Sequence, residues 1–212
     1  MGKISYATVR RLSRYYRSLD YAKKRNVTTI SSDELARQNH LTAAQVRKDL
    51  SFFGAFGRRG LGYNVSSLKK NIGRILGLNR TWNVVIVGGG NIGRALINFE
   101  QFRTQGFLIK LVVDNDFAKI GMKIGGLEIK STDVLKREVK NLGIEIGVIC
   151  VPEGAAQKAV DMLVDKDVGI KAILNFAPIA LTVPDDVTVR YENMAIEIEA
   201  LSFALTNPNS LR

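Results

Sequence analysis

Val84-Val85-Ile86-Val87-Gly88-Gly89-Gly90-Asn91-Ile92-Gly93 is the stretch that decides how this chain is read. Four consecutive β-branched residues suit a strand covered on both faces, and the glycines that follow have the G-x-G-x-x-G spacing of a dinucleotide-binding turn. Gly88 permits the tight turn, Gly90 lets backbone approach a pyrophosphate, and Gly93 allows a helix to pack closely on the strand, while Gly89, Asn91 and Ile92 complete the turn. Outward from there the pattern alternates. Strands are predicted over 108–113, 127–129, 144–151 and 170–176, and helices over 91–102, 131–142 and 152–164. Strand alternating with helix predicts an α/β, Rossmann-type parallel sheet over residues 81–192. Asp114 ends the second strand, where a carboxylate can bind a ribose 2′-hydroxyl. Asp116 would add to the repulsion of a 2′-phosphate and no Arg follows closely, so NADH and NAD+ are expected in preference to their phosphorylated forms.

Before the glycine turn the chain has a different character. Residues 1–80 carry 17 Lys and Arg against 4 Asp and Glu, a net of +13, whereas residues 81–212 carry a net of −2. A domain this one-sided attracts polyanions by counterion release and steering, so double-stranded DNA is the expected partner. Val9, Leu12, Tyr15, Tyr16, Leu19 and Ala22 recur at helical spacing, predicting a long first helix over 5–24. Ser31 and Glu34 have capping-box spacing before a short second helix, and Thr42 is a suitable N-cap for a third over 43–53, with Val46, Leu50 and Phe53 inward. Helix, turn, helix therefore falls within about 15–54. Gln45, Arg47, Lys48 and Ser51 stand on the outward side of the third helix, residue types that reach base edges and phosphates. The glycines around Arg58-Arg59-Gly60 in residues 54–63 suit a tight hairpin, the wing of a winged helix, that carries guanidinium groups into a minor groove.

The rest of the sequence narrows the function classes. Cys150 lies in an apolar run and reads as a packing residue. No signal-peptide pattern or membrane-length apolar segment is present, so a cytoplasmic location is expected, with no membrane partner and no metal. A dehydrogenase would need a proton relay and a substrate domain. The one histidine, His40, falls in the helix-turn-helix turn, and 36 residues remain after the last predicted strand. A ligand sensor is the better reading than an enzyme. The last predicted helix, from Asn193 to Leu205, is apolar almost all round and suits insertion into a partner subunit, a swapped homodimer; burial within its own domain is the alternative.

Several longer stretches carry a resemblance that spans essentially the whole chain. Gln45-Val46-Arg47-Lys48-Asp49-Leu50-Ser51, Gly57-Arg58-Arg59-Gly60-Leu61-Gly62-Tyr63, the glycine turn, Lys119-Ile120-Gly121, Val151-Pro152-Glu153 and Leu174-Asn175-Phe176-Ala177-Pro178 closely resemble the Rex family of bacterial redox-sensing transcriptional repressors. The resemblance implies a homodimer on a palindromic operator, released when NADH occupies the Rossmann domains. It implies that Pro152, Asn175 and Phe176 join the cofactor site, and that Arg58, Arg59, Gly60 and Tyr63 join the DNA site. Residues 193–212 would form the dimerisation helix and tail. In this family an Asp commonly opens the swapped helix and pairs with the arginine matched here by Arg17, and an aromatic hydroxyl contacts that Asp. Here the two positions read Asn193 and Phe99, so the expected switch is a different latch. An NAD-dependent dehydrogenase with a basic accessory domain and a CoA-type ligand sensor are the alternatives.

Overall fold

In the computed structural model, which describes residues 4–57 and 60–208, the chain divides into two compact units, Met1–Arg80 and Thr81–Arg212. The first unit comprises α1 (Tyr6–Lys24), β1 (Thr29–Ile30), α2 (Ser32–Asn39), α3 (Ala43–Ser51), β2 (Tyr63–Asn64) and α4 (Val65–Ile75). Ser5 caps α1 through its hydroxyl and Lys23 and Lys24 complement the helix dipole in the last turn. The inward stripe of α1 is Thr8, Leu12, Tyr15, Leu19 and Ala22, at steps of four and three. Val9, expected inward, is exposed, because Thr8 lies on that stripe and Val9 falls one residue off it. Ser31 caps α2 and Thr42 caps α3, each accepting from the amide three residues on. Between them His40 turns the chain at φ 55°, with its amide bonded back to α2. The third helix ends at Ser51, two residues short of expectation; Phe53 still packs on the core.

The wing differs from the expected self-contained hairpin. Tyr63-Asn64 pairs antiparallel with Thr29-Ile30, between α1 and α2, so the loop after α3 is anchored to a strand outside itself. Gly62, at φ 73°, makes this possible: a Cβ there would lie 2.6 Å from the Ile30 carbonyl oxygen. Arg58 and Arg59 lie outside the described residues.

Among the described residues, the second unit is built on a seven-stranded sheet. Its elements are β3 (Trp82–Val87), α5 (Asn91–Ile97), α6 (Glu100–Thr104), β4 (Phe107–Asp114), β5 (Lys123–Ile124), β6 (Leu127–Ser131), α7 (Leu135–Asn141), β7 (Ile144–Ile149), α8 (Glu153–Val164), β8 (Ala172–Asn175), β9 (Thr188–Tyr191) and α9 (Met194–Thr206). Strand order is β5-β6-β4-β3-β7-β8-β9, parallel throughout except for the β5-β6 hairpin. Val85 and Val87 enter one core while Val84 and Ile86 enter the other, the period of two expected of a strand covered on both faces. Central β3 is flanked by β4 and β7, so the chain leaves it in opposite directions and opens a crevice beyond its carboxyl end.

Three boundaries depart from expectation. The helix predicted over 91–102 is broken into α5 and α6 at Phe99, which is extended at ψ 94°, while both the backbone and the side-chain amide of Asn98 donate to the Arg94 carbonyl. The helix predicted from Ser131 begins as a 3-10 turn over Thr132–Val134 before α7. An edge strand, β9, lies beyond the predicted sheet.

Candidate functional site

The glycine turn is built by strand pairing on both sides. The Gly88 amide donates to the Val113 carbonyl, and its φ of 106° sets the chain so close to β7 that a Cβ would lie 2.6 Å from the Cys150 carbonyl oxygen. A Cβ on Gly93 would collide with the Gly88 carbonyl oxygen, so only glycine lets α5 sit this near β3. Gly90 is different: a Cβ there meets nothing, and the residue lines a cavity of about 720 Å³. That open side leaves room that a pyrophosphate could occupy, and a side chain would take that room.

The cavity draws its walls from the ends of β3, β4, β7 and β8. Gly88, Gly90, Asn91, Ile92, Asp114, Pro152 and Phe176 all line it. Gly89, Gly93 and Asn175 support it from behind. Asn175 is fully buried, its Nδ2 donating to the Ala177 and Ile179 carbonyls and its Oδ1 accepting from the Ala177 amide, so its side chain shapes the turn that presents Phe176.

Asp114 holds the turn as well as facing the cavity. Its Oδ2 accepts from the Gly89 amide at 2.8 Å and its Oδ1 from the Asp116 amide at 3.0 Å. Burial alone would push this carboxyl up, but those amides and Lys119 outweigh it and hold it below the usual carboxylate range. Lys119 was not among the predicted site residues. Its Nζ lies 3.4 Å from Asp114 and 3.1 Å from Asp116, and it lines the same cavity. Its spacing of three and five residues from two acids was the available signal. Cys150 also lines the cavity, and burial pushes its thiol up to about 12.

In the first unit, Arg47, Lys48 and Ser51 are exposed on α3 as expected. Arg47 donates to the Ser32 hydroxyl at 3.0 Å, and Ser51 donates to the Lys48 carbonyl. A second cavity, about 680 Å³, lies between Arg47, Ser51 and the loop through Gly54, Gly57, Gly60 and Tyr63. Tyr63 is half-buried, its ring packed so near Gly57 that a Cβ there would lie 2.7 Å from it.

Gln45 is half-buried rather than free, and donates to Asp49 at 2.8 Å. Asp49 is the residue sequence reasoning missed. It is fully buried, bound by Arg11 through both oxygens at 2.6 and 2.7 Å and by the Tyr15 hydroxyl at 2.8 Å. Burial would raise its carboxyl, yet these donors hold it below the usual range. The signal was an acid one residue before inward Leu50, with Arg11 and Tyr15 four apart on α1.

The positions expected to form the switch are Arg17, Phe99 and Asn193. Arg17 is exposed on α1. Phe99, 46% exposed, stacks edge-on against Phe102 at 5.3 Å. Asn193 caps α9, its Oδ1 accepting from the Ala195 amide at 3.0 Å.

A basic helix-turn-helix unit joined to a Rossmann unit with an open glycine cradle defines a class: DNA-binding regulators that respond to a nucleotide ligand. Residues 3–51 match a family model described as a putative DNA-binding protein N-terminus, and residues 79–179 one described as a CoA binding domain. Redox-sensing transcriptional repressors named Rex from Carboxydothermus hydrogenoformans and Desulforamulus reducens are 48% and 46% identical to the chain, over 95% and 96% of it and 96% of each relative. Solved structures of RSP, a Rex-family repressor, match across 98% of the chain. The complex with β-NAD+ and operator DNA has a TM-score of 0.91 at 39% identity and is covered to 95%; the complex with β-NADH has 0.88 at 38% and is covered to 97%. The chain belongs to the Rex family of redox-sensing transcriptional repressors, and its function is regulation rather than catalysis.

Proposed function

We propose that this chain represses transcription as a homodimer, binding an operator through α3 and the loop after it and leaving the DNA when NADH fills the cavity beneath Gly90. The observation that carries this reading is the Gly90 cradle. It opens on a buried, ionised Asp114 in one unit, while the other unit bears a net charge of +13. When bound, the dinucleotide would supply the redox-dependent group that is sensed. This chain's part is to hold the pyrophosphate at Gly88 to Gly93 and to offer Asp114 to the adenine ribose. Residues 1–80 would serve as the DNA domain and 81–192 as the ligand domain.

Residues 193–212 would pair the protomers. Not one described residue of α9 is buried, and Met194, Ile196, Ile198, Leu201, Phe203 and Leu205 are each more than half exposed. Apolar surface of that extent on one helix calls for a covering subunit. Arg17 and Asn193 are the groups proposed to couple dimer geometry to ligand state.

The test is a titration of a candidate palindromic operator with NADH and NAD+ separately, followed by fluorescence anisotropy, with sedimentation reporting the oligomeric state. Release by NADH at concentrations where NAD+ leaves the complex intact supports the reading, and equal release by both overturns it. The match of residues 79–179 to a CoA binding domain favours one second reading, a CoA-type sensor, and release by a CoA thioester but not by NADH would establish that instead.

A further inference from the structure

We infer that Gln45 is a specificity-determining residue that reads adenine in the major groove, its amide held in one orientation by the buried carboxylate of Asp49. Gln45 is the third residue of α3, in the first turn, the part of a recognition helix that reaches base edges. Its Nε2 lies 2.8 Å from Asp49 Oδ1. An ionised carboxylate only accepts, so the amide must turn its nitrogen, not its oxygen, toward Asp49. One of the two N–H groups is thereby occupied. What remains for DNA is one N–H donor beside one carbonyl acceptor.

The major-groove edges of the bases discriminate on that pair. Adenine presents N7 as acceptor next to N6–H as donor, the complement of what Gln45 has left. Guanine presents two acceptors, O6 and N7, and would need the N–H that Asp49 already holds. Cytosine offers a donor alone, and thymine an acceptor beside a methyl group. Without Asp49 the glutamine could rotate its amide and lose this selectivity.

The support beneath Asp49 makes the orientation durable. Arg11 grips both of its oxygens and Tyr15 donates to Oδ2 from a fully buried position, so the carboxylate neither turns nor meets water. Asp49, Arg11 and Tyr15 are positioning residues, and Gln45 alone touches the base.

The inference rests on α3 being the recognition helix, and the experiment separates the two. Binding sites are selected from a randomised duplex library with the wild-type protein and with Gln45→Ala and Asp49→Asn, each checked for an unchanged circular-dichroism spectrum. Wild type is expected to favour adenine about tenfold at one position of the enriched sequence, or at that position and its symmetry mate. Gln45→Ala should lose that preference and keep the others. Asp49→Asn, whose amide can present either atom, should let guanine in at the same position. If Gln45→Ala keeps every preference, or loses one for a base other than adenine, the inference is overturned. If wild type enriches nothing, the recognition-helix reading itself falls.

Discussion

Asp49 keeps its charge at zero exposure because the donors of three side chains converge on it, and stability should register this directly. Removing one partner of a buried ion pair costs about 3–5 kcal/mol. The Arg11 side chain is 20% exposed and can rehydrate, so Asp49→Ala should cost the lower end, about 3 kcal/mol, in urea unfolding. The folded-state pKa of Asp49 is depressed, so its contribution is complete above the ordinary aspartate value near 3.9 and is lost as pH falls through the folded value. The stability difference between wild type and Asp49→Ala should therefore shrink in acid. At the cofactor site the two acids have separate tasks. Asp114 is 6% exposed and engaged by two amides, whereas Asp116 is exposed and shares Lys119 with it. Wild type should bind NADH at least ~10-fold more tightly than NADPH, about 1.4 kcal/mol. Asp116→Asn should raise NADPH affinity several-fold and leave NADH affinity alone, because it removes a charge without touching the turn. Equal affinities of wild type for both ligands in direct fluorescence titration would exclude this division. Of the cavity lining, the glycine turn and Asp114 were legible from residue type and spacing, and Pro152 and Phe176 only through the family resemblance. Asp49 and Lys119 were not, because an acid in a basic domain and a lysine between two acids read as surface until burial and partners are known.

At the level of elements, α9 offers the cleanest test, since Asn193 is at once its cap and a proposed switch residue. Asp caps a helix as well as Asn does and suits the positive end of the dipole, so Asn193→Asp should leave the helix intact while adding charge. Any shift in the NADH concentration that releases operator then reports the switch. We expect that midpoint to rise, through a stronger pairing with Arg17 in the DNA-competent form, when measured at fixed operator and NAD+. An unchanged midpoint would exclude the pair from the switch. Strands β3, β4, β7 and β8 were readable because their apolar runs are buried on both faces. Edge elements were not. Thr188–Tyr191 carries too little apolar signal, its first, third and fourth residues lying exposed. β6 was predicted over 127–129 but its partner β5 was not, although the pair Gly125-Gly126 between them, at φ 56° and 84°, is a hairpin-turn signature. The break at Phe99 lies in one residue's extended backbone, which hydrophobic periodicity does not record.

For the molecule as a whole, ligand and DNA are proposed to act through one equilibrium, so each must weaken the other by the same factor. Gly90→Val places two methyl groups in the cradle and should lower NADH affinity by more than tenfold, about 1.4 kcal/mol, in calorimetry. Operator affinity without ligand should stay at its wild-type value, because the substitution lies outside residues 1–80. The variant would then be a repressor that no longer lets go. Unchanged NADH affinity would move the pyrophosphate elsewhere in the cavity. The two-unit division was visible in charge alone, since a net +13 ends where the apolar strand begins. Cys150 adds a last property. Its thiol lines the cavity beneath Gly90, yet burial pushes it up to about 12, and a protonated thiol is a poor nucleophile toward peroxides and electrophiles. The expected consequence is that oxidants which modify exposed, acidic cysteines spare Cys150, so mass spectrometry after peroxide treatment should find this thiol unmodified and the protein's response to NADH unchanged.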